Sequence, residues 1–488
     1  MNYSVIRRIL GKILILIGML MVFPLAISII YKEPIRNKLA FLIPIICLFI
    51  LGNILGIKAD KNNNKMNVRE GIVIVGLTWL LMALFGCIPF LISKEIPNFF
   101  NAFFEMSSGF TTTGASILTD VTALSHSSLF WRSFSHWIGG MGVLVFILAI
   151  IPESKEGSSM HILRAESPGP QVGKLVSKMQ VTSRILYLIY LTMTVVLILL
   201  LWLGPDDKMN FFNSTVYSLG TAGTGGFAVD PDGLASYSAY SQYVIAGGML
   251  AFGINFSLFY LILIGNAKEA FKNEELRLYL GIVLISVATI LASVYSKYNS
   301  FEEAFRHSLF QTATIITTTG YATTDFIQWP TLALSVMGLL MFSGGSAGST
   351  AGGMKVTRLS ILFKSAHKKI KNTVSPRKVE TITIDKKPIS ETTVESVQSF
   401  FIVYMFVFLG CAFLLSFDGF DLLTNITASL TCISNVGPGL TNMIGPLGSF
   451  AEFSNFSKML MSIEMIAGRL ELFPILILFS PKTWRKRI

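Results

Sequence analysis

Four short stretches hold the residues best suited to chemistry: TTTGA (111–115), AGTGG (222–226), TTTGY (317–321) and SNVGP (434–438). Each sets a glycine behind small or hydroxyl-bearing residues, a poor choice for a helix that faces lipid. Carbonyl oxygens on a glycine-relaxed strand can replace the water around a dehydrated cation, because glycine permits the backbone angles such a strand needs. Aligned on Gly114, Gly225, Gly320 and Gly437, the stretches lie about 95 to 117 residues apart, far above solenoid periods. The ligand set expected from this alignment is Thr111, Thr112, Thr113 and Gly114; Ala222, Gly223, Thr224 and Gly225; Thr317, Thr318, Thr319 and Gly320; and Ser434, Asn435, Val436 and Gly437. One such stretch alone reads equally well as a contact between transmembrane helices, where Gly, Ser and Thr are common. Four in the same setting point to a shared site.

That setting is set by the elements around each glycine. Upstream lies a long apolar span, at about 70–93, 183–204, 277–296 and 397–417. A shorter amphipathic segment follows: NFFNAFFEMSSGF, MNFFNSTVYSLG, FEEAFRHSLFQTATI or DLLTNITASLTCI. These are too short to cross about 30 Å of hydrocarbon and read as re-entrant helices. A second long span closes each unit, at about 128–151, 241–265, 331–363 and 456–480. With two spans per unit, all four share one orientation and can pack around an axis normal to the membrane. Non-helical backbone at that depth is tolerated only where it is buried in protein or lines water, so four strands meeting at the axis supply one another's environment. The C-terminal ends of four helix dipoles would then face the axis and favour a cation. Acidic residues on that side, Asp206, Asp207, Asp230, Asp232, Asp325, Asp418, Asp421 and Glu452, would concentrate cations at the mouth.

Composition agrees with this layout. Of 488 residues, 52% are hydrophobic and only 14% charged, with a mean hydropathy of +0.62, which describes a polytopic membrane protein rather than a set of soluble domains. The expected fold is all-α, with about ten transmembrane helices: four pseudo-symmetric span, pore-helix, span repeats around one pore, and an added N-terminal hairpin. The divisions are 1–66 for the hairpin, 67–155, 156–270, 271–370 and 395–488 for the repeats, and 371–394 for a cytoplasmic loop. Within that loop, VETITIDKKPIS (379–390) alternates like two short strands around Asp385 and Lys386. The first apolar run, Ile9–Ile30, is long for a signal peptide and lacks a small-residue cleavage site, so it reads as a retained helix.

The net charge of +11 could suggest nucleic acid, but the basic residues cluster at the N-terminus, in 58–69, 164–184 and 355–387, and in the tail KTWRKR. These fall at every second connection, the positive-inside pattern of cytoplasmic loops, which places both termini in the cytoplasm. Polybasic segments also touch anionic membrane lipid. Cys47, Cys87, Cys411 and Cys432 lie in apolar segments without paired spacing and suggest neither disulfides nor a metal site. Catalysis is not expected, since the spans contain almost no Asp, His or Lys and no HExxH-type pair.

Two further features depart from the span pattern. GGSAGSTAGG comprises Gly344, Gly345, Ser346, Ala347, Gly348, Ser349, Thr350, Ala351, Gly352 and Gly353. It interrupts the last span of repeat three, and five glycines at roughly 1 kcal/mol each against alanine should break that helix within the membrane. A phosphate-binding loop does not fit, because Met354 stands where the lysine belongs. A close-packed glycine interface is the alternative. Arg469 lies some 13 residues before Lys482, roughly 20 Å along a helix, too deep to reach the interface easily. A buried arginine needs a partner or water, and a structural ion pair to another helix is one reading. Glu464 and Glu471 lack the helical spacing for an intrahelical pair. Glu105 beside the first strand reads as pore-helix support, and His136 and Trp137 as packing residues.

Taken together, the four strands, RAESPGP (164–170), GGSAGSTAGGMK (344–355), SNVGPG (434–439) and GRLE (468–471) resemble TrkH-type potassium transporter subunits of the Trk/Ktr/HKT superfamily, over essentially the whole chain. The resemblance implies a homodimer in the bacterial inner membrane with one pore per protomer. The filter glycines would be Gly114, Gly225, Gly320 and Gly437, with K+ as the transported ion and a potassium preference from glycine at all four. It also implies that the loop at 344–353 blocks the pore until it moves, and that Arg469 stands in the ion path. A cytosolic TrkA-type regulatory subunit would sense NAD, ATP or ADP, while this chain has no dinucleotide fingerprint of its own. Ala222 and Gly223 depart from the threonine-rich pattern, and the N-terminal hairpin resembles TrkH more than the shorter KtrB subunits. A proton- or sodium-coupled symporter is the alternative within transport, and a structural membrane protein the alternative outside it.

Overall fold

The computed structural model describes residues 1–57, 68–142, 179–375 and 381–484. The RAESPGP stretch, the end of the span expected at 128–151 and part of the basic clusters lie outside the described residues. Helices α1 (Tyr3–Leu20), α2 (Val22–Ile30) and α3 (Ile35–Ile57) form the N-terminal hairpin. Repeat one follows with α4 (Val68–Gly86), α5 (Ile88–Ser93), the pore helix α6 (Phe99–Phe110) and α7 (His126–Gly140). Repeat two has α8 (Met179–Trp202), the pore helix α9 (Phe211–Gly223), then α10 (Ala239–Phe252) and α11 (Phe256–Leu263). After α12 (Ala267–Lys272), repeat three has α13 (Glu274–Val294), the pore helix α14 (Phe301–Ile316), α15 (Thr331–Ser343) and α16 (Val356–Val374). A hairpin of β1 (Thr383–Ile384) and β2 (Lys387–Pro388) leads to repeat four. This comprises α17 (Glu391–Leu415), the pore helix α18 (Leu422–Ser434), α19 (Asn455–Arg469), α20 (Phe473–Phe479) and the short α21 (Pro481–Trp484).

The chain is a mainly helical polytopic membrane protein. Six helical stretches among the described residues are individually long and apolar enough to cross a bilayer: Tyr3–Ile30, Ile35–Ile57, Val68–Ser93, Val181–Trp202, Glu274–Lys297 and Glu391–Asp418. The last span of each repeat behaves differently from the sequence expectation. A break is expected there in repeat three alone, yet the helices entering from the strand side end after 13 to 15 residues in all four, at Gly140, Phe252, Ser343 and Arg469. In repeat two the chain turns by 93° between α10 and α11. In repeat four Glu471 and Leu472 take positive φ. At about 1.5 Å per residue such helices reach only part way across, so each repeat brings irregular backbone to the same membrane level.

The N-termini of these half-helices repeat a device that hydropathy does not reveal. Ser125, Ser238 and Ser454 cap α7, α10 and α19 through their hydroxyls, accepting from the N–H of Ser128, Ser241 and Ser457. Their own N–H groups donate to Glu95 (2.9 Å), Asp206 (2.8 Å) and Asp418 (2.8 Å) on the preceding loop. A carboxylate at the positive end of a helix dipole is favourable by about 0.3–1 kcal/mol. Burial pushes the Asp206 carboxyl up, but the Ser241 hydroxyl and the Ser238 N–H outweigh it and hold the group below its usual range. A depressed folded-state value means stability that is present above the unfolded carboxylate value near about 3.9 and lost as pH falls. Asp206→Asn is therefore expected to lower the Tm of the solubilised protein at pH 7 and to leave a smaller difference as the pH approaches 3. A Tm difference that grew on acidification would contradict the assignment.

Candidate functional site

The four pore helices end in the same way. Thr112, Thr224, Thr318 and Asn435 adopt left-handed backbone at φ of 57, 55, 55 and 57°. Each following residue turns its N–H back onto its helix: Thr113 to Ser108 O (2.9 Å), Gly225 to Gly220 O (2.9 Å), Thr319 to Thr314 O (2.8 Å) and Val436 to Thr431 O (3.0 Å). This is a left-handed helix cap that satisfies the terminal carbonyls. Two residues after each left-handed position, glycine again takes positive φ, at Gly114 (79°), Gly226 (75°), Gly320 (91°) and Gly437 (103°). The second strand is therefore Gly223–Gly226, one residue later than the alignment on Gly225. Gly225 matches Thr113, and Ala222 lies in the last turn of α9 beside the equivalents Phe110, Ile316 and Ile433.

These strands close a ring. A Cβ built on Gly114 would lie within 3 Å of Gly225 O; on Gly226, of Thr319 O; on Gly320, of Val436 O; and on Gly437, of Thr113 O. Each glycine thus packs on the matching carbonyl of the next repeat, and the fourth returns to the first. The side chain of Asn435 adds a cross-link, donating to Thr113 Oγ1 (3.0 Å) and Met465 O (2.9 Å). The carbonyls of Thr113, Gly225, Thr319 and Val436 receive no hydrogen bond among the described residues, although all four residues are buried. Buried carbonyls are normally paired, so a ring of four lacking protein donors is suited to a cation. The hydroxyls of the three-threonine runs mostly brace the strands: Thr111 and Thr317 donate to Ser107 O and Ala313 O at 2.6 Å and bond to Thr113 (2.7 Å) and Thr319 (2.8 Å).

On one side the four glycines line a common cavity of about 110 Å³ that also includes Asp230. Several acids expected to concentrate cations have structural posts instead. Asp206 and Asp418 anchor half-helices, Asp421 caps α18 and Asp325 caps a short 3-10 turn. Behind the first strand, Arg132 and Glu105 form a fully buried ion pair (2.8 Å). Glu105 also accepts from Ile117 N (3.0 Å) and Ser116 Oγ (2.9 Å), and the Arg132 guanidinium lies 4.0 Å from the Phe227 ring centre. His136 bonds Gly109 O (2.7 Å) through Nδ1 and accepts the Phe227 N–H (3.3 Å) at Nε2, tying strands one and two together.

The opposite side carries the glycine-rich loop. Gly344, Gly348 and Gly353 take positive φ, and the loop bonds outward. Ser346 N donates to Gly253 O (3.0 Å), Thr350 Oγ1 to Phe252 O (3.1 Å) and Gly352 N to Thr318 Oγ1 (2.6 Å), while Gly348 O accepts from Phe256 N (3.1 Å). A Cβ on Gly352 would strike Ser434 O. The loop thus lies against the helix-side ends of strands three and four and fills the break in repeat two. Arg469 completes the layer. Its guanidinium donates to Thr350 O (2.7 Å) on the loop and to Gly139 O (2.7 Å) and Gly140 O (2.6 Å) at the end of α7. Glu471 pairs with Arg358 (2.5 Å), and Glu464 accepts from Ser429 (2.6 Å). The structure thus brings together the strand residues, the loop and Arg469, takes Gly226 into the second strand, and adds Arg132 as a support beside Glu105 and His136.

The model of the TrkH family, described as cation transport protein, matches residues 37–486. The chain is 31% identical over 493 residues, covering all of both chains, to the Trk system potassium uptake protein TrkH of Escherichia coli (strain K12). It is 32% identical over 494 residues, covering 99% of this chain and 100% of the other, to the protein of the same name in Vibrio parahaemolyticus. The crystal structure of the potassium transporter TrkH from Vibrio parahaemolyticus superposes with a TM-score of 0.88 at 30% identity, covering 99% of this chain and 100% of that one. With a ring of four pore-helix strands and a family match along nearly all of its length, the chain belongs to the TrkH family of cation transport proteins.

Proposed function

We propose that this protein takes up potassium across the bacterial inner membrane through the ring at Thr111–Gly114, Gly223–Gly226, Thr317–Gly320 and Ser434–Gly437. The observation that carries the reading is the closed cycle of glycine-to-carbonyl contacts, whose four buried carbonyls lack protein donors. The ends of four helix dipoles add negative potential at the same place. Potassium is the cargo rather than a resident cofactor. The loop at 344–353 and Arg469 form the gate, because both lie against one side of the ring while the other opens into the glycine-lined cavity. The names of the relatives, Trk system potassium uptake proteins, support the ion and suggest a multi-component system. Within it, a TrkA-type cytosolic subunit that binds NAD, ATP or ADP would control the gate, two copies of this chain would form a dimer, and both termini would lie in the cytoplasm.

The test is rubidium uptake by a bacterial host lacking its own potassium systems. The native chain is expected to restore growth at low external potassium and to take up rubidium in preference to sodium. Membrane-inserted protein at normal abundance that moved neither ion would sink the reading.

A further inference from the structure

Two acidic residues outside the ring and the gate form a connected path from the surface hairpin to the glycine-rich loop. Glu275, the second residue of α13, is 9% exposed, and its Oε1 accepts the N–H of Ala347 at 2.6 Å. The loop has few internal bonds to hold its shape. Its N–H groups turn to Gly253 O, Thr318 Oγ1 and the Glu275 carboxylate, and Glu275 is the charged acceptor among these three. Charge-assisted hydrogen bonds are roughly twice as strong as neutral ones.

Asp385 supplies the other end of the path. It opens the two-residue turn of the β1–β2 hairpin, where Asp385 and Lys386 take φ of 48 and 63°, as a type I′ turn requires. Its Oδ1 accepts from Glu274 N (2.7 Å) and its Oδ2 from Asn273 Nδ2 (2.8 Å), so it holds the start of α13 one residue before Glu275. The Asp385 N–H donates to the Glu274 carboxylate (3.3 Å), and Lys364 of α16 donates to Glu274 and to Thr383 O (2.7 Å). Ile384 is buried with Ile361 of α16 and Val397 of α17. The hairpin is therefore clamped both to the helix that holds the loop and to the helix that begins where the loop ends.

We infer that Glu275 positions the glycine-rich loop against the ring and that the Asp385 hairpin keeps Glu275 in place, so that lifting the hairpin off α13 releases the loop. The inference rests on the transport reading, in which the loop is the obstruction. A helix's first turn has no intrahelical partners for its N–H groups, and Asp385 supplies one for α13. Without it Glu275 would lose its fixed aim.

Three single variants of the full chain and one double variant, reconstituted in lipid, test this by rubidium flux and by hydrogen exchange of the 344–355 segment. Glu275→Ala is expected to raise basal flux about ten-fold and to speed exchange of that segment, while Glu275→Gln, which keeps an acceptor oxygen, recovers most of the native behaviour. Asp385→Gly preserves the turn and removes both acceptors. It is expected to raise flux about three-fold alone and to add nothing in the Glu275→Ala background, the signature of residues acting in one path. Unchanged loop exchange in Glu275→Ala, or a full Asp385→Gly effect in the double variant, would overturn the inference. If the native chain carried no rubidium while both variants still accelerated loop exchange, the positioning would stand and the transport reading would fall.

Discussion

Gly226→Ser is expected to cut the preference for rubidium over sodium about ten-fold or more, matching Gly114→Ser, Gly320→Ser and Gly437→Ser. Left-handed backbone costs a non-glycine residue roughly 1–2 kcal/mol, and each 1.4 kcal/mol is a factor of about ten. Gly226 has φ of 75°, and its Cβ would press on the Thr319 carbonyl. That obstacle is backbone and belongs to the ring itself, so repacking a side chain cannot relieve it. Gly225 differs: its φ is not left-handed, and a Cβ there would meet the His136 ring. Its glycine makes room for a supporting side chain. Selectivity measured in reconstituted vesicles at matched protein levels decides the register. Retained preference in Gly226→Ser, with loss at the other three glycines, would restore the alignment on Gly225.

The one-residue slip shows where sequence reading reaches its limit. Four repeats are legible because apolar length, a short amphipathic helix and a glycine recur in order. AGTGG, however, has three glycines, and residue type alone does not say which takes the left-handed angle. Helix caps do contain that information. Asn98, Asn210 and Asp421 each cap a pore helix and stand at the same distance before Thr112, Thr224 and Asn435, whereas Ser300 stands one helical turn further from Thr318. The SHSS, SAYS and SNFS caps of the half-helices were equally open to reading.

The breaks in repeats two and four were harder to see. GGSAGSTAGG announces itself by composition, but Phe252–Phe256 and Arg469–Leu472 interrupt otherwise apolar runs with one or two polar residues. They break because the loop of repeat three bonds to Phe252 O and Gly253 O and because Arg469 reaches across to other repeats. Contacts over such sequence distances leave no local periodicity. The Arg132–Glu105 pair and the Glu275 contact are hidden for the same reason.

Arg469→Ala is expected to raise rubidium flux through the reconstituted protein about ten-fold or more with little change in selectivity. The guanidinium does two things at once. Its positive charge, at the level where four half-helices end, opposes a cation approaching the ring. Its fork also bonds Thr350 O on the loop and Gly139 O and Gly140 O on repeat one, so it pins the loop across the axis. Hydrogen bonds to a charged group contribute roughly 1.5–3 kcal/mol each, and the loss of one suffices for a ten-fold shift toward an open arrangement. Arg469→Lys separates the two roles, because an ammonium keeps the charge but lacks the planar fork that reaches carbonyls of the loop and of repeat one together. If tethering dominates, Lys and Ala raise flux alike; if repulsion dominates, Lys stays near the native rate and only Ala opens the path. Native flux in both variants would mean that Arg469 is a structural strut with no part in gating.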